Sequence, residues 1–238
     1  MKTIGLIGGM SWESSKLYYE FLNIKAKNIL GGSHSAKCIM MSVDFSEIKR
    51  LTFKGDWDAI GELMKHAAQQ LERAGADIVL LCTNTIHVVS HYISKNISIP
   101  FLHIAATTGE SIQKSGLKKV ALLGTKFTME KDFYTKTLVN DFGLEILIPD
   151  ANERQVVHDI IYNELVKGQF TRVSKLKIIE IIKKLHNQGA QGVILGCTEL
   201  PILISKSDVD IPIFDTGKIH AYTAIEWSLI ADTINSNL

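Results

Sequence analysis

Short runs of aliphatic and β-branched residues alternate along the chain with longer stretches in which apolar residues recur every three or four positions. Ile4–Ile7, Cys38–Val43, Ile78–Cys82, Val120–Leu123, Val193–Cys197 and Ile211–Phe214 predict strands buried on both faces. Between them the period becomes helical. Trp57–Arg73 carries Ile60, Leu63, Met64, Ala67 and Leu71 on one face and stops at Gly75, and Ser174–His186 repeats the pattern and stops at Gly189. Strand, helix, strand in this order predicts parallel sheets covered by helices and joined by right-handed crossovers. The fold class is α/β.

The chain also repeats itself. KTIGLIGGM is followed by GADIVLLCTNT and ISIPFLHI; later, KKVALLGTKFTM is followed by GAQGVILGCTEL and VDIPIFDTG. Each half therefore offers a strand ending in a glycine turn, a strand ending in Cys-Thr and a strand opening at Ile-Pro, with nearly equal spacing from Gly8 to Cys82 and from Gly124 to Cys197. Three matches in one order predict two pseudo-symmetric lobes. The first comprises residues 1–102 plus 212–238 and carries Cys82; the second comprises residues 103–211 and carries Cys197. The last helix, roughly His220–Asp232, is expected to return onto the first lobe.

Composition narrows the function classes. In 238 residues, 26 Lys and Arg balance 25 Asp and Glu, leaving a formal charge of +1 and no basic block to attract a phosphate backbone, so no nucleic-acid partner is expected. The longest apolar runs fall far short of the roughly 20 residues that span a bilayer, and glycines interrupt the opening MKTIGLIGGM, so neither membrane attachment nor a signal peptide is expected. Three cysteines without disulfide-framework spacing point to free thiols in a reducing compartment, the cytoplasm.

Ligands of parallel α/β sheets sit beyond the carboxyl ends of the strands, where Cys82 and Cys197 both fall. Each is followed by a threonine that could begin a helix, whose N–H groups and dipole would lower a thiol pKa below about 8.5. Cys38, inside CIMMSV, reads instead as a small hydrophobe. Two thiols in matched settings facing one cleft suit inversion at carbon: one group removes a proton from one face while the other delivers a proton to the opposite face. A cysteine hydrolase would have no use for the second thiol. Thr83, Asn84 and Thr85 offer N–H and hydroxyl groups to an α-carboxylate, and Thr125 and Thr198 offer the same from the other lobe; each is also a residue type that caps helices. Gly8, Gly9, Met10 and Ser11 form a tight turn after the first strand.

MKTIGLIGGMSWES, LLCTNTIH and VILGCTELPIL resemble the aspartate/glutamate racemase family over essentially the whole chain, and its broad-specificity branch in particular. The resemblance implies two Rossmann-like lobes with the active site in the cleft between them, a homodimer, and an amino-acid substrate. It also implies neither pyridoxal phosphate nor metal, with Cys82 and Cys197 as the acid/base thiols. Met10, Thr83, Asn84, Thr85 and Thr125 fall on the family's substrate-contact motifs, and Thr52 on its pocket-lining loop. Aspartate-specific members are similar to a pattern with an arginine after the second strand and a lysine in a segment like I-Y-E-x-x-K. Here Arg50 and Lys54 lie near the first, while IIYNELVKG places Val166 at the lysine position and Lys167 one step later. Relatives that isomerise or decarboxylate small diacids reuse the same thiols, so that reaction and a simple acid-binding module stand as alternatives.

His87 and His91 are spaced i,i+4, as a zinc pair would be, but lack a third ligand and read as polar surface beside the thiol helix. Glu199 reads as a partner able to tune Cys197. KSGLKK (Lys114–Lys119) and the pair Lys183 and Lys184 read as solvated faces.

Overall fold

Among the residues described by a computed structural model, 1–235 for the backbone and 1–230 for the side chains, the strands pair only in parallel and form two four-stranded sheets. The first sheet holds β1 (Ile4–Gly8), β2 (Cys38–Ser42), β3 (Ile78–Leu81) and β4 (Phe101–Leu102) in the order β2-β1-β3-β4. The second holds β5 (Lys119–Gly124), β6 (Glu145–Leu147), β7 (Val193–Gly196) and β8 (Ile213–Asp215) in the order β6-β5-β7-β8. The two orders are the same, so the glycine-turn strands β1 and β5 occupy one position, and the Cys-Thr strands β3 and β7 another.

Helices cover the first sheet on both faces. Along β1, Ile4 and Leu6 turn toward α1 (Trp12–Leu30), where they bury against Tyr18, Leu22 and Ala26, together with Ala221, Ala224 and Ile225 of α11 (Thr216–Asn235). Ile7 faces the other way, into a core with Ile48 and Leu51 of α2 (Phe45–Lys54) and with Ile60, Met64, Ala67 and Leu71 of α3 (Trp57–Arg73). Alternation along a strand with both faces covered explains its unbroken apolar run. Asp56 caps α3 by accepting the Ala59 N–H at 3.3 Å, and Gly75 follows its end at φ +93°. The second sheet has its own core, in which Val120 to Leu123 and Val193 to Leu195 meet Tyr134 and Leu138 of α7 (Asp132–Phe142). Val157 and Ile161 of α8 (Ala151–Asn163) and Ile178, Ile182 and Leu185 of α9 (Arg172–Asn187) complete it.

By contacts the chain divides into one unit of residues 1–103 and 220–238 and another of residues 104–219; residues 236–238 lie outside the described ones. The outward crossing falls between His103 and Ile104, at the start of α5 (Ile104–Lys114). The return was expected at Pro212. It falls instead at Ile219–His220, because β8 pairs with β7 from Ile213 to Asp215 and so belongs to the second sheet. One further expectation is corrected, and one strand was not foreseen. β2 is an edge strand whose residues are all partly or fully exposed, so it is not buried on both faces. β6, at the equivalent edge of the second sheet, escapes the sequence pattern because three residues leave no period to read. No helix among the described residues is long and apolar enough to cross a membrane.

Gly9 shows why the first turn carries glycine. Its φ is +91°, and a Cβ there would lie 2.1 Å from the Val43 carbonyl oxygen. The turn is tied down on its other side, where the Gly9 N–H donates to Ser15 Oγ at 2.7 Å.

Candidate active site

In each unit the predicted residues gather where two neighbouring central strands end. Ile7 of β1 pairs with Leu81 of β3, so Gly8 and Cys82 emerge side by side, and the Cys82 N–H donates to the Ile7 carbonyl at 2.9 Å. In the second unit Gly124 pairs with Gly196, so Thr125 and Cys197 emerge together in the equivalent place. A Cβ on Gly124 would sit 2.8 Å from the Gly196 carbonyl oxygen, which keeps these two strand ends free of side chains.

Around Cys82 the chain makes a tight turn and enters a 3-10 helix at Thr85–Val89. The Cys82 carbonyl accepts Ser14 Oγ at 2.9 Å from the first turn of α1, which Ser11 caps by accepting the Ser14 N–H at 3.3 Å. Cys82 is 1 % exposed and belongs to the α1–α11 core. Thr83 is partly exposed, whereas Asn84 and Thr85 are buried. Met10 is buried against α2 and α3. Thr52 lies not on a loop but within α2, buried, with its hydroxyl donating to the Ile48 carbonyl at 2.8 Å.

Around Cys197 one carboxylate organises the turn. A single oxygen of Glu199, Oε2, accepts both the Cys197 thiol and the Thr198 hydroxyl, each at 3.0 Å, and all three residues are buried. Thr125 caps α6 (Lys126–Glu130), accepting the Thr128 N–H at 3.3 Å. The backbone N–H of Lys126 donates to His158 Nδ1 at 3.2 Å, which places the imidazole proton on Nε2. The His158 ring lies 4.7 Å from that of Tyr162, one turn further along α8. Tyr162 is close enough to Cys197 and Glu199 that, after burial, their charges help push its hydroxyl pKa up.

Both thiols depart from expectation in the same direction. Helix N-termini were expected to lower their pKa values, but both lie well above the ordinary thiol range. Burial is the chief cause in each case; Cys38 adds to it at Cys82, and the Glu199 charge and hydrogen bond add to it at Cys197. The Glu199 and Leu200 N–H groups do pull Cys197 down, yet the following helix, Leu200–Leu203, is a single turn and is outweighed. At neutral pH both are therefore thiols at rest, ready to donate a proton. Either would be a strong base once ionised, since a desolvated thiolate holds a proton tightly.

Sequence reasoning missed a group of histidines. His87 is fully buried, not on the surface, and His91 is exposed, so the two do not share a face. His87 Nδ1 donates to the Thr83 carbonyl at 2.7 Å, and its ring centre lies 4.7 Å from His103 and 5.9 Å from His220. His220, also fully buried, donates from Nε2 to the Leu102 carbonyl at 2.9 Å and accepts Tyr18 Oη on Nδ1 at 2.8 Å. The i,i+4 pair His158 and Tyr162 was legible as one helix face but was not read as chemistry. Among candidates for a second substrate carboxylate, Arg50, Lys54 and Lys167 are all exposed, and Lys54 faces Asp56 at 3.7 Å. A cavity of about 330 Å³ in the second unit, bordered by Ser111, Phe214, Asp215 and Lys218, is lined by none of the predicted residues.

Twin parallel α/β units, each with a buried cysteine just past the end of a central strand, define the class of protein to which the chain is similar. The chain belongs to the Asp/Glu/Hydantoin racemase family, whose profile matches residues 7–224. It is 26 % identical over 223 residues to the broad specificity amino-acid racemase RacX of Bacillus subtilis, covering 93 % of this chain and 96 % of that one. The crystal structure of a Yersinia pestis protein described as a candidate Asp/Glu racemase is 46 % identical, covers 96 % of this chain and 100 % of its own, and superposes with a TM-score of 0.90. An aspartate racemase homologue from Pyrococcus horikoshii is 37 % identical with the same coverages and a TM-score of 0.82.

Two pH effects follow from these environments. Burial lowers the His220 pKa to about 3, against about 6.5 in an unfolded chain. Below pH 6.5 the unfolded state therefore binds a proton that the folded state refuses. At pH 5 this one residue should cost about 2 kcal/mol of stability relative to pH 7.5. Urea denaturation at the two pH values checks this, with a shallower pH slope expected for His220→Gln. For Glu199→Gln, removing the negative charge lowers the Cys197 pKa, so in a Cys38→Ser, Cys82→Ser background iodoacetamide alkylation of Cys197 should set in at lower pH.

Proposed function

We propose that this protein is an isomerase that racemises an amino acid by a two-base mechanism, with Cys82 and Cys197 as the thiol pair and without pyridoxal phosphate. The observation that carries this reading is the recurrence of a buried cysteine, followed by threonine, at the end of the equivalent strand in each sheet. The racemase names of the relatives that match nearly the whole chain support the same reaction class.

The chemistry follows from the two environments. One cysteine, as thiolate, takes the α-hydrogen from one face; the other, as thiol, gives its proton to the opposite face. The product has inverted configuration, and the protonation states of the two sulfurs are exchanged. Cys197 can reach its thiolate form by passing its proton along the existing 3.0 Å contact to Glu199 Oε2. The α-carbon is a very weak acid, so desolvation of the attacking sulfur and fixed donors around the developing carbanion must lower the barrier. Thr83, Asn84 and Thr85 on one side, and Thr125 and Thr198 on the other, are assigned to the substrate carboxylate and ammonium groups. Met10, Ser11 and Thr52 are assigned to shaping that pocket, with Met10 and Thr52 acting from beneath through the α2 packing. The substrate is aspartate, glutamate or a broader range of amino acids, and the protein works as a homodimer. Three free thiols suit the cytoplasm.

Chiral chromatography of purified variants tests this reading. Cys82→Ser and Cys197→Ser should each lower kcat/KM for interconversion at least about 1,000-fold in both directions, since a serine hydroxyl is a far poorer base than a thiolate. Full activity in Cys197→Ser would rule out a two-base mechanism.

A further inference from the structure

The buried histidines of the first unit lie where the chain leaves that unit and where it comes back. His103 is the last residue before the outward crossing, and His220 is the first after the return. Both rings pack against His87, and His87 in turn holds the Thr83 carbonyl, one peptide beyond the thiol of Cys82. A carbonyl only accepts, so Nδ1 of His87 carries the proton in this contact; by the same logic Nε2 of His220 carries it toward Leu102, and Nδ1 of His220 receives the Tyr18 hydroxyl. The tautomers of two buried rings are thereby fixed by three hydrogen bonds. Aliphatic side chains would fill this volume without the desolvation of imidazole groups, so packing alone does not account for the cluster. A buried network held by hydrogen bonds instead favours one geometry.

We propose that His87 is a positioning residue for Cys82. Its ring holds the Thr83 carbonyl, the Ser14 hydroxyl holds the Cys82 carbonyl, and His103 and His220 pack against the ring. The role assigned to Cys82 rests on the racemase reading; the mechanical link between His87 and the Cys82 turn does not. Displacement of a reacting group by about 1 Å can cost on the order of 100-fold in rate, so one lost hydrogen bond behind the turn is enough to matter.

The test uses His87→Leu, which removes the donor, and His87→Asn, whose side-chain amide nitrogen can take the place of Nδ1. In the full protein, His87→Leu should lower kcat about 10- to 100-fold with KM changed less than about 3-fold, and His87→Asn should recover most of the loss. With α-deuterated substrate, the isotope effect should rise for the one enantiomer whose hydrogen Cys82 removes and stay unchanged for the other. A purely structural role would reduce the amount of active protein and move neither isotope effect, and that result overturns the proposal. A second arm does not depend on racemisation. In a Cys38→Ser, Cys197→Ser background, His87→Leu should change the iodoacetamide alkylation rate of Cys82 at least about 5-fold, with unchanged circular dichroism and with recovery in His87→Asn. An unchanged rate overturns the proposal. Wild-type protein that racemises nothing, combined with altered alkylation, would remove the racemase reading and leave the His87 link intact.

Discussion

Parallel pairing is the constraint on which the rest of this molecule depends. Because β1 and β3 run the same way in register, as do β5 and β7, their carboxyl ends stop at one edge of each sheet and deliver the next residues side by side. Gly8 beside Cys82, and Thr125 beside Cys197, are consequences of that register and not of local preference. Parallel strands need crossovers, the crossovers are the covering helices, and the helices require strands that are apolar on both faces. The unbroken runs IGLIG, IVLL and VILG serve that packing, and the polar residues immediately after them are where chemistry becomes possible.

Two effects compete at each thiol, and burial wins. The N–H groups following Cys197 favour its thiolate, but the residue is buried and a carboxylate lies 3.0 Å away, and both of these favour the neutral form. At Cys82 burial is more complete and no such N–H contribution offsets it. A thiol kept protonated is a poor nucleophile in general but a ready acid, and its rare thiolate is a strong base. That combination fits proton transfer at carbon better than it fits acyl transfer, in which an ionised nucleophile must wait for its substrate.

Much of this was legible from the sequence, for reasons that can be named. The α3 pattern from Ile60 to Leu71 lies between an acidic cap and a glycine, so its ends are marked as clearly as its period. The repeat of Cys-Thr after two apolar runs located both thiols, because a repeat in sequence became an equivalence in topology. What was not legible depends on tertiary placement. Nothing in HVVSH says that His87 turns inward to the Thr83 carbonyl while His91 turns to solvent, since the segment begins as a 3-10 helix and breaks the i,i+4 face. Nothing near His103 or His220 says that residues more than a hundred positions apart meet at one ring. The return at Ile219–His220 was misplaced because IPIF reads as a strand of either lobe, and only its pairing with β7 decides between them. The pKa direction was misjudged because a helix that starts after a cysteine is visible in sequence, whereas its length of one turn and the depth of the sulfur are not.

On the two-base reading proposed above, this protein breaks and remakes the α-carbon–hydrogen bond of an amino acid between two thiols. Proton NMR of a panel of L-amino acids incubated with the protein in D₂O, without added cofactor, tests it most directly. The α-proton signal should disappear for at least one amino acid, with deuterium incorporated and the D-enantiomer formed at a matching rate. Retention of every α-proton, or exchange without any D-enantiomer, would contradict it.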